Sequence, residues 1–250
     1  MHPQPRRPAR RAWHPEYLFE ATLLATFMVA ALAFTILVEH PDSPVRRAIA
    51  PGILRRLLIG LGMGATAITL IYSPWGRRSG AHMNPATTLT FARLGLVPPG
   101  TALGYIAAQF AGGTAGVWLG RQLFGPIVEH NAVRFAVTTP TAGVLLAFVA
   151  ELTMTALLMT LVLVAARNAI WRPRTGVIAA ACVATFITIE APVSGMSLNP
   201  ARTFASAVWA HEFTGLWLYF FAPALGMLLG AEIARHLYPA SKDPSCSTTT

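Results

Sequence analysis

Six stretches of this chain are long enough to cross a bilayer and almost free of charge. Residues 21–38, 57–76, 94–120 and 213–231 contain no Asp, Glu, Lys or Arg, 135–166 contain only Glu151, and 175–201 contain only Glu190. Hydrocarbon offers no partner to an exposed backbone N–H or C=O, so an apolar run of about 20 residues closes on itself as a helix there. Composition agrees, since 12% of the residues are charged, about half the share of a soluble domain. The expected class is an all-α membrane protein with six transmembrane helices, near 17–38, 55–73, 101–121, 143–166, 175–191 and 214–237. The first run has a basic flank, as a signal peptide does, but Glu20 interrupts it and its apolar part is long, which favours an uncleaved first helix.

Two further segments, from Asn84 to about Leu94 and from Asn199 to about Ala210, are too short to cross. Each opens within a repeated decapeptide, SGAHMNPATT at 79–88 and SGMSLNPART at 194–203, in which Ser, Gly, Asn, Pro, Ala and the final Thr match. One follows the second helix and the other the fifth. The two halves therefore share one order, with Glu20 in helix 1 matched by Glu151 in helix 4. Three spans per half is an odd number, so the second copy is inverted. Inverted repeats with broken segments in matching places point to a pathway at their interface near the midplane. We read residues 1–250 as one transmembrane domain, with a first repeat at 1–122, an inverted repeat at 143–238 and a polar, disordered tail at 239–250. Glycines at every fourth position (Gly60 and Gly64; Gly112, Gly116 and Gly120; Gly226 and Gly230) predict close helix contacts.

Asn-Pro-Ala has a plain physical use. Asn caps a helix and Pro suits its first position. Asn84, Pro85 and Ala86, and again Asn199, Pro200 and Ala201, start two half-helices inside the membrane. If each Asn oxygen caps backbone N–H groups, its amide remains a donor. Two inverted copies bring two such donors and two positive dipole ends to one spot. A water bonded there by its oxygen cannot relay a proton, and a cation is repelled.

These features resemble the aquaporin, or major intrinsic protein, family over about residues 17–237, with YIAAQFAGG, AELTMT and FAPALG as lesser matches. The resemblance implies six tilted helices with two re-entrant half-helices meeting at the centre of an hourglass. It implies a homotetramer with one pore per subunit, no cofactor, no metal and no enzymatic activity. The expected function is passive passage of water, with some leak of small neutral solutes such as polyols, and exclusion of protons and ions. Arg202 falls where the family places a filter arginine. Family spacing gives Met196, Ile187 and Gly64 as the other walls, an atypical set. An insertion in SPWGRR would put Met63 at the wall in place of Gly64. Thr203, Tyr219 and Phe220 resemble water channels. The match of His82 implies the cytoplasmic vestibule, a loop hydrogen bond being an equal reading, and Glu20 and Glu151 imply buried bracing of the two loops. Glu190 has no family counterpart; it borders the outer vestibule or pairs with an arginine at a subunit contact.

Other classes fit less well. A secondary transporter for a small neutral solute shares the inverted repeat, but no Asp lies in any span. An intramembrane enzyme needs a nucleophile with a base, and only His82 lies near either motif. Cys182 and Cys246 make neither a disulfide framework nor a zinc site. The net charge of +9 has its basic residues at membrane edges, which argues for a lipid bilayer and against nucleic acid. Twelve Lys and Arg fall on the side of the termini and seven on the other, which predicts cytoplasmic termini in the plasma or inner membrane. Arg46, Arg47, Arg55 and Arg56, around the first outer loop, run against that rule.

Overall fold

The computed structural model describes residues 15–237. Arg6, Arg7, Arg10, Arg11, Lys242, Cys246 and the tail from 239, which carry parts of the orientation and disorder readings, lie outside them.

The described residues form ten α-helices: α1 (Pro15–Glu39), α2 (Pro44–Ala48), α3 (Gly52–Tyr72), α4 (Pro74–Ser79), α5 (Pro85–Arg93), α6 (Pro99–Phe124), α7 (Val144–Arg167), α8 (Thr175–Ser194), α9 (Pro200–Ala210) and α10 (Leu218–Leu237). No strand occurs among them. Helices α1, α3, α6, α7, α8 and α10 are the six spans. Five are long and apolar enough to cross by length and composition. The sixth, α6, has 26 residues but dilutes its apolar content with Gln109, Thr114 and several glycines. The ends fall within a few residues of expectation. The largest shift is at α10, which starts at Leu218 because Phe213–Trp217 is a turn through Gly215 at φ 65°.

Small residues set how close the spans come. The helices pair most closely as α1 with α6, α7 with α10, and α3 with α8. A Cβ on Gly112 would stand 2.2 Å from Ala21 O, and one on Gly230 would stand 2.3 Å from Ala156 O. Backbone therefore touches backbone, the approach that hydrocarbon rewards through dispersion. The first pairing recurs in the second half, and α3 meets its own counterpart α8 across the inverted repeat.

The connections fix two ends. Glu39, the turn beside it, Phe124 and the His211–Trp217 turn share one end, where the rings of His40 and His130 meet at 4.7 Å. Tyr72, Arg167 and Arg174 share the other, where Tyr72 Oη donates to Pro173 O at 2.8 Å. Between them α5 and α9 start at mid-depth and return to opposite ends. With 9 and 11 residues they rise about 14 and 17 Å, half a span each.

Candidate pore and its waist

Two buried carboxylates shape the loops that lead into the half-helices. Glu20 and Glu151 are fully buried. Glu20 Oε1 accepts from Ser79 Oγ at 2.7 Å and His82 N at 3.0 Å, and its Oε2 from Met83 N at 2.6 Å and Gln109 Nε2 at 2.7 Å. Glu151 repeats the pattern. Its Oε1 accepts from Ser194 Oγ and Ser197 N, both at 2.7 Å, and its Oε2 from Leu198 N at 2.7 Å. Each loop needs this bracing because it holds side-chain-bearing residues in left-handed backbone: Ala81 and Met83 at φ 47° and 48°, Met196 and Leu198 at 54° and 58°. Such conformations persist when the surroundings over-determine them. A tyrosine locks each loop from outside, Tyr105 Oη donating to Ser79 O at 2.8 Å and Tyr219 Oη to Ser194 O at 2.5 Å.

The loops deliver two Asn caps to one place. Asn84 Oδ1 accepts from Ala86 N at 2.9 Å, and Asn199 Oδ1 accepts from Ala201 N at 3.0 Å and Arg202 N at 3.2 Å. Pro85 and Pro200 occupy the first helical position. The amides do not simply face one another. Asn84 Nδ2 donates to Leu198 O at 2.8 Å, and Asn199 Nδ2 donates to Met83 O at 2.7 Å. Each tip is thus tied to the loop of the other. An Asn amide has two N–H groups, so this cross-brace uses one and leaves one on the wall of the cavity that both residues line.

That cavity, of about 700 Å³, is lined from Glu39, Arg56 and Arg134 at one end to Ile71, Thr175 and Gly176 at the other. Asn84, Asn199, His82, Ile187, Met196 and Arg202 all lie on its wall. Gly64 does not. A Cβ there would stand 3.1 Å from Ala180 O, so Gly64 faces α8. The wall of α3 is Arg56, Ile59, Met63, Ala67 and Ile71, one helical stripe. The reason for the correction is α4. Ser73 Oγ caps it by accepting from Gly76 N at 3.0 Å, and Gly80 ends it at φ 91°. The connection from α3 to Asn84 thus holds a separate capped helix, as the insertion alternative for SPWGRR allows, and Met63 takes the wall.

Arg202 Nη1 is buried without a hydrogen-bond partner. A donor left unmade inside a protein is costly, and here it lies on a cavity wall where a solute oxygen can meet it. His82 lines the cavity, and its Nδ1 is 3.0 Å from Thr88 Oγ1, so its ring bonds to a side chain of α5 and not to loop backbone. Glu190 is not on the cavity wall, which α8 lines through Ile187 and Ala191 instead, and its carboxylate oxygens have no hydrogen-bond partner within the described residues. Cys182 is also off the wall. At the Glu39 end, Arg134 Nη2 donates to Glu212 Oε2 at 2.9 Å. Hydrogen bonds from Thr214, and then Arg134, hold the Glu212 carboxyl below the usual range.

Several residues of the site carried no role in the sequence reading. Gln109 donates at 3.0 Å to Thr88 Oγ1 as well as to Glu20. Thr138, from a long connection, is 2.7 Å from Thr203 Oγ1. The signal for Ser79, Ser194, Thr88 and Thr203 was present, because these are the matched first and last residues of the two decapeptides. Gln109 and Thr138 had no such repeat.

Residues 13–234 match the model of the major intrinsic protein family. The chain belongs to that family. Among curated members it is 37% identical to Aquaporin NIP1-3 of Oryza sativa subsp. japonica over 169 residues, 67% of this chain and 57% of that one. It is 35% identical to Aquaporin NIP2-2 of Zea mays over 188 residues, 72% of this chain and 61% of that one. The chain thus spans about three fifths of these relatives. The X-ray structure of the aquaglyceroporin from Plasmodium falciparum superposes with TM-score 0.75 at 18% identity, covering 87% of this chain and 93% of that one. It shares the fold of this major intrinsic protein: a multi-pass, all-helical membrane protein with an inverted repeat.

Proposed function

We propose that this major intrinsic protein is a passive channel, not an enzyme, for water and small uncharged solutes, glycerol-like polyols among them. The observation that carries the reading is the waist, where two oppositely directed helix N-termini are tied tip to tip by Asn84 and Asn199. Water passing the waist meets amide donors and two positive dipole ends, so it is held by its oxygen and its file loses the acceptor that proton relay needs. A cation meets the same positive ends and Arg202. A polyol brings hydroxyl oxygens for Arg202 and a carbon chain for Met63, Ile187 and Met196. No aromatic stands among these four, which leaves more room than a ring would. The relatives are aquaporins and the structural neighbour is an aquaglyceroporin, which supports water and glycerol as the solute classes. On the same reading the protein is a homotetramer in the plasma or inner membrane, with cytoplasmic termini.

Light scattering from reconstituted vesicles tests the proposal. Water and glycerol entry should both exceed that of empty vesicles and rise linearly with gradient, without saturation. Met63→Phe should cut glycerol entry severalfold while sparing most water flow. Glycerol entry that saturates like a carrier's, or is unchanged in Met63→Phe, contradicts the assignment.

A further inference from the structure

Charge is distributed differently at the two ends. At the Glu39 end, Arg55 and Arg46 reach Glu39 at 3.1 and 3.8 Å, Arg47 reaches Asp42 at 3.0 Å, Arg134 reaches Glu212 at 2.9 Å and Arg121 pairs with Glu129. Arg56 donates to Thr188 O at 3.0 Å. The arginines that run against the positive-inside rule are therefore mostly neutralised. At the Tyr72 end, Arg78 pairs with Glu16 and Arg235 with Glu232. No described acidic side chain lies within 4.0 Å of Arg77, Arg93, Arg172 or Arg174. No Asp or Glu occurs between Glu151 and Glu190.

Within this basic end the α7–α8 connection has a built shape. Asn168 Oδ1 accepts from Ile170 N at 2.9 Å and Trp171 N at 3.3 Å. Arg174 Nη1 donates back to Ile170 O at 2.6 Å, and Tyr72 Oη clamps Pro173 O. The rigid turn exposes Ile170 at 69% and Trp171 at 51%, with Arg172 and Arg174 alongside and also exposed. Two large apolar side chains at the edge of a membrane span, next to two unneutralised guanidiniums, make one surface with an apolar half and a cationic half.

We propose that the Asn168–Arg174 turn is a docking site for an anionic phospholipid. Trp171 and Ile170 sit among the upper acyl carbons, as amphipathic rings do at membrane interfaces. Arg172 takes the lipid phosphate, and Arg174 adds its remaining guanidinium donors to the same group. The opposite end lacks this preference because its arginines already hold carboxylates. The proposal rests on the membrane placement of the chain and not on what the pore conducts.

The test is native mass spectrometry of the full chain in neutral detergent, titrated with phosphatidylglycerol or phosphatidylcholine. Phosphatidylglycerol should bind more tightly, and the preference should weaken with salt. Arg172→Gln with Arg174→Gln should lose about 25-fold in phosphatidylglycerol affinity, at about fivefold per arginine. Arg172→Lys with Arg174→Lys should keep most of it, and Arg47→Gln, at the other end, should keep all of it. Trp171→Ala should weaken both lipids alike. Equal binding of the two lipids by the natural chain overturns the proposal, and so does a full preference retained in the double Gln variant. Removal of bound phosphatidylglycerol by an equal concentration of inorganic phosphate would assign the turn to free anions and overturn the lipid.

Discussion

At the residue scale, the waist depends on acceptors as much as on the Asn donors. Glu151 is a buried acceptor for three donors, and a glutamine there presents an N–H2 where Leu198 N already donates. Glu151→Gln should therefore cost about 2–3 kcal/mol and lower water flow, as read by melting in detergent and by vesicle shrinkage. A variant with the natural melting point would mean that the left-handed residues at Met196 and Leu198 hold without the carboxylate. Glu212 offers a pH test away from the membrane. Its carboxyl is held below the ordinary value of 4.5, so its contribution is present above that value and lost as pH falls through the lower, folded one. The natural chain should melt higher than Glu212→Gln at pH 6, and the difference should fade as acidification carries the pH down through the lowered folded value.

At the scale of elements, close helix contact depends on the absence of a side chain at particular turns. Gly112 presses on Ala21 O, whereas a Cβ on Gly100, in the same helix, meets nothing within 4 Å. Gly112→Ala should cost about 1–3 kcal/mol and Gly100→Ala should be neutral or mildly stabilising, since alanine suits a helix better than glycine. Equal melting points in the two variants would contradict the packing account. Most elements were legible in the sequence because bilayer thickness fixes span length and because Asn-Pro marks a helix start without help from tertiary structure. The α3 wall was legible only as two alternatives, Gly64 and Met63: periodicity locates a helix, but the register depends on how the connection through α4 reaches Asn84, and Met63 is the residue on the cavity. Gln109 and Thr138 were hidden for a different reason: their partners, Glu20 and Thr88 for the one and Thr203 for the other, stand on other helices far away in sequence, and only the tertiary packing brings them together.

At the scale of the whole molecule, the inverted repeat recurs in hydrogen bonds and not only in helix order. Glu20 with Tyr105, and Glu151 with Tyr219, hold corresponding loops, and each Asn is tied to the opposite loop. The symmetry ends in the loops beyond the waist, where Glu39, Arg56 and Arg134 line one mouth and Thr175 and Gly176 the other. The central claim, that this waist passes water while refusing charge, is tested most directly by one measurement. Vesicles holding the protein and a trapped pH-sensitive dye are given an osmotic step and a pH gradient together. The account predicts shrinkage faster than in protein-free vesicles, with the pH gradient decaying no faster than in those controls. Shrinkage at the control rate, or a gradient that collapses as the water leaves, would contradict it.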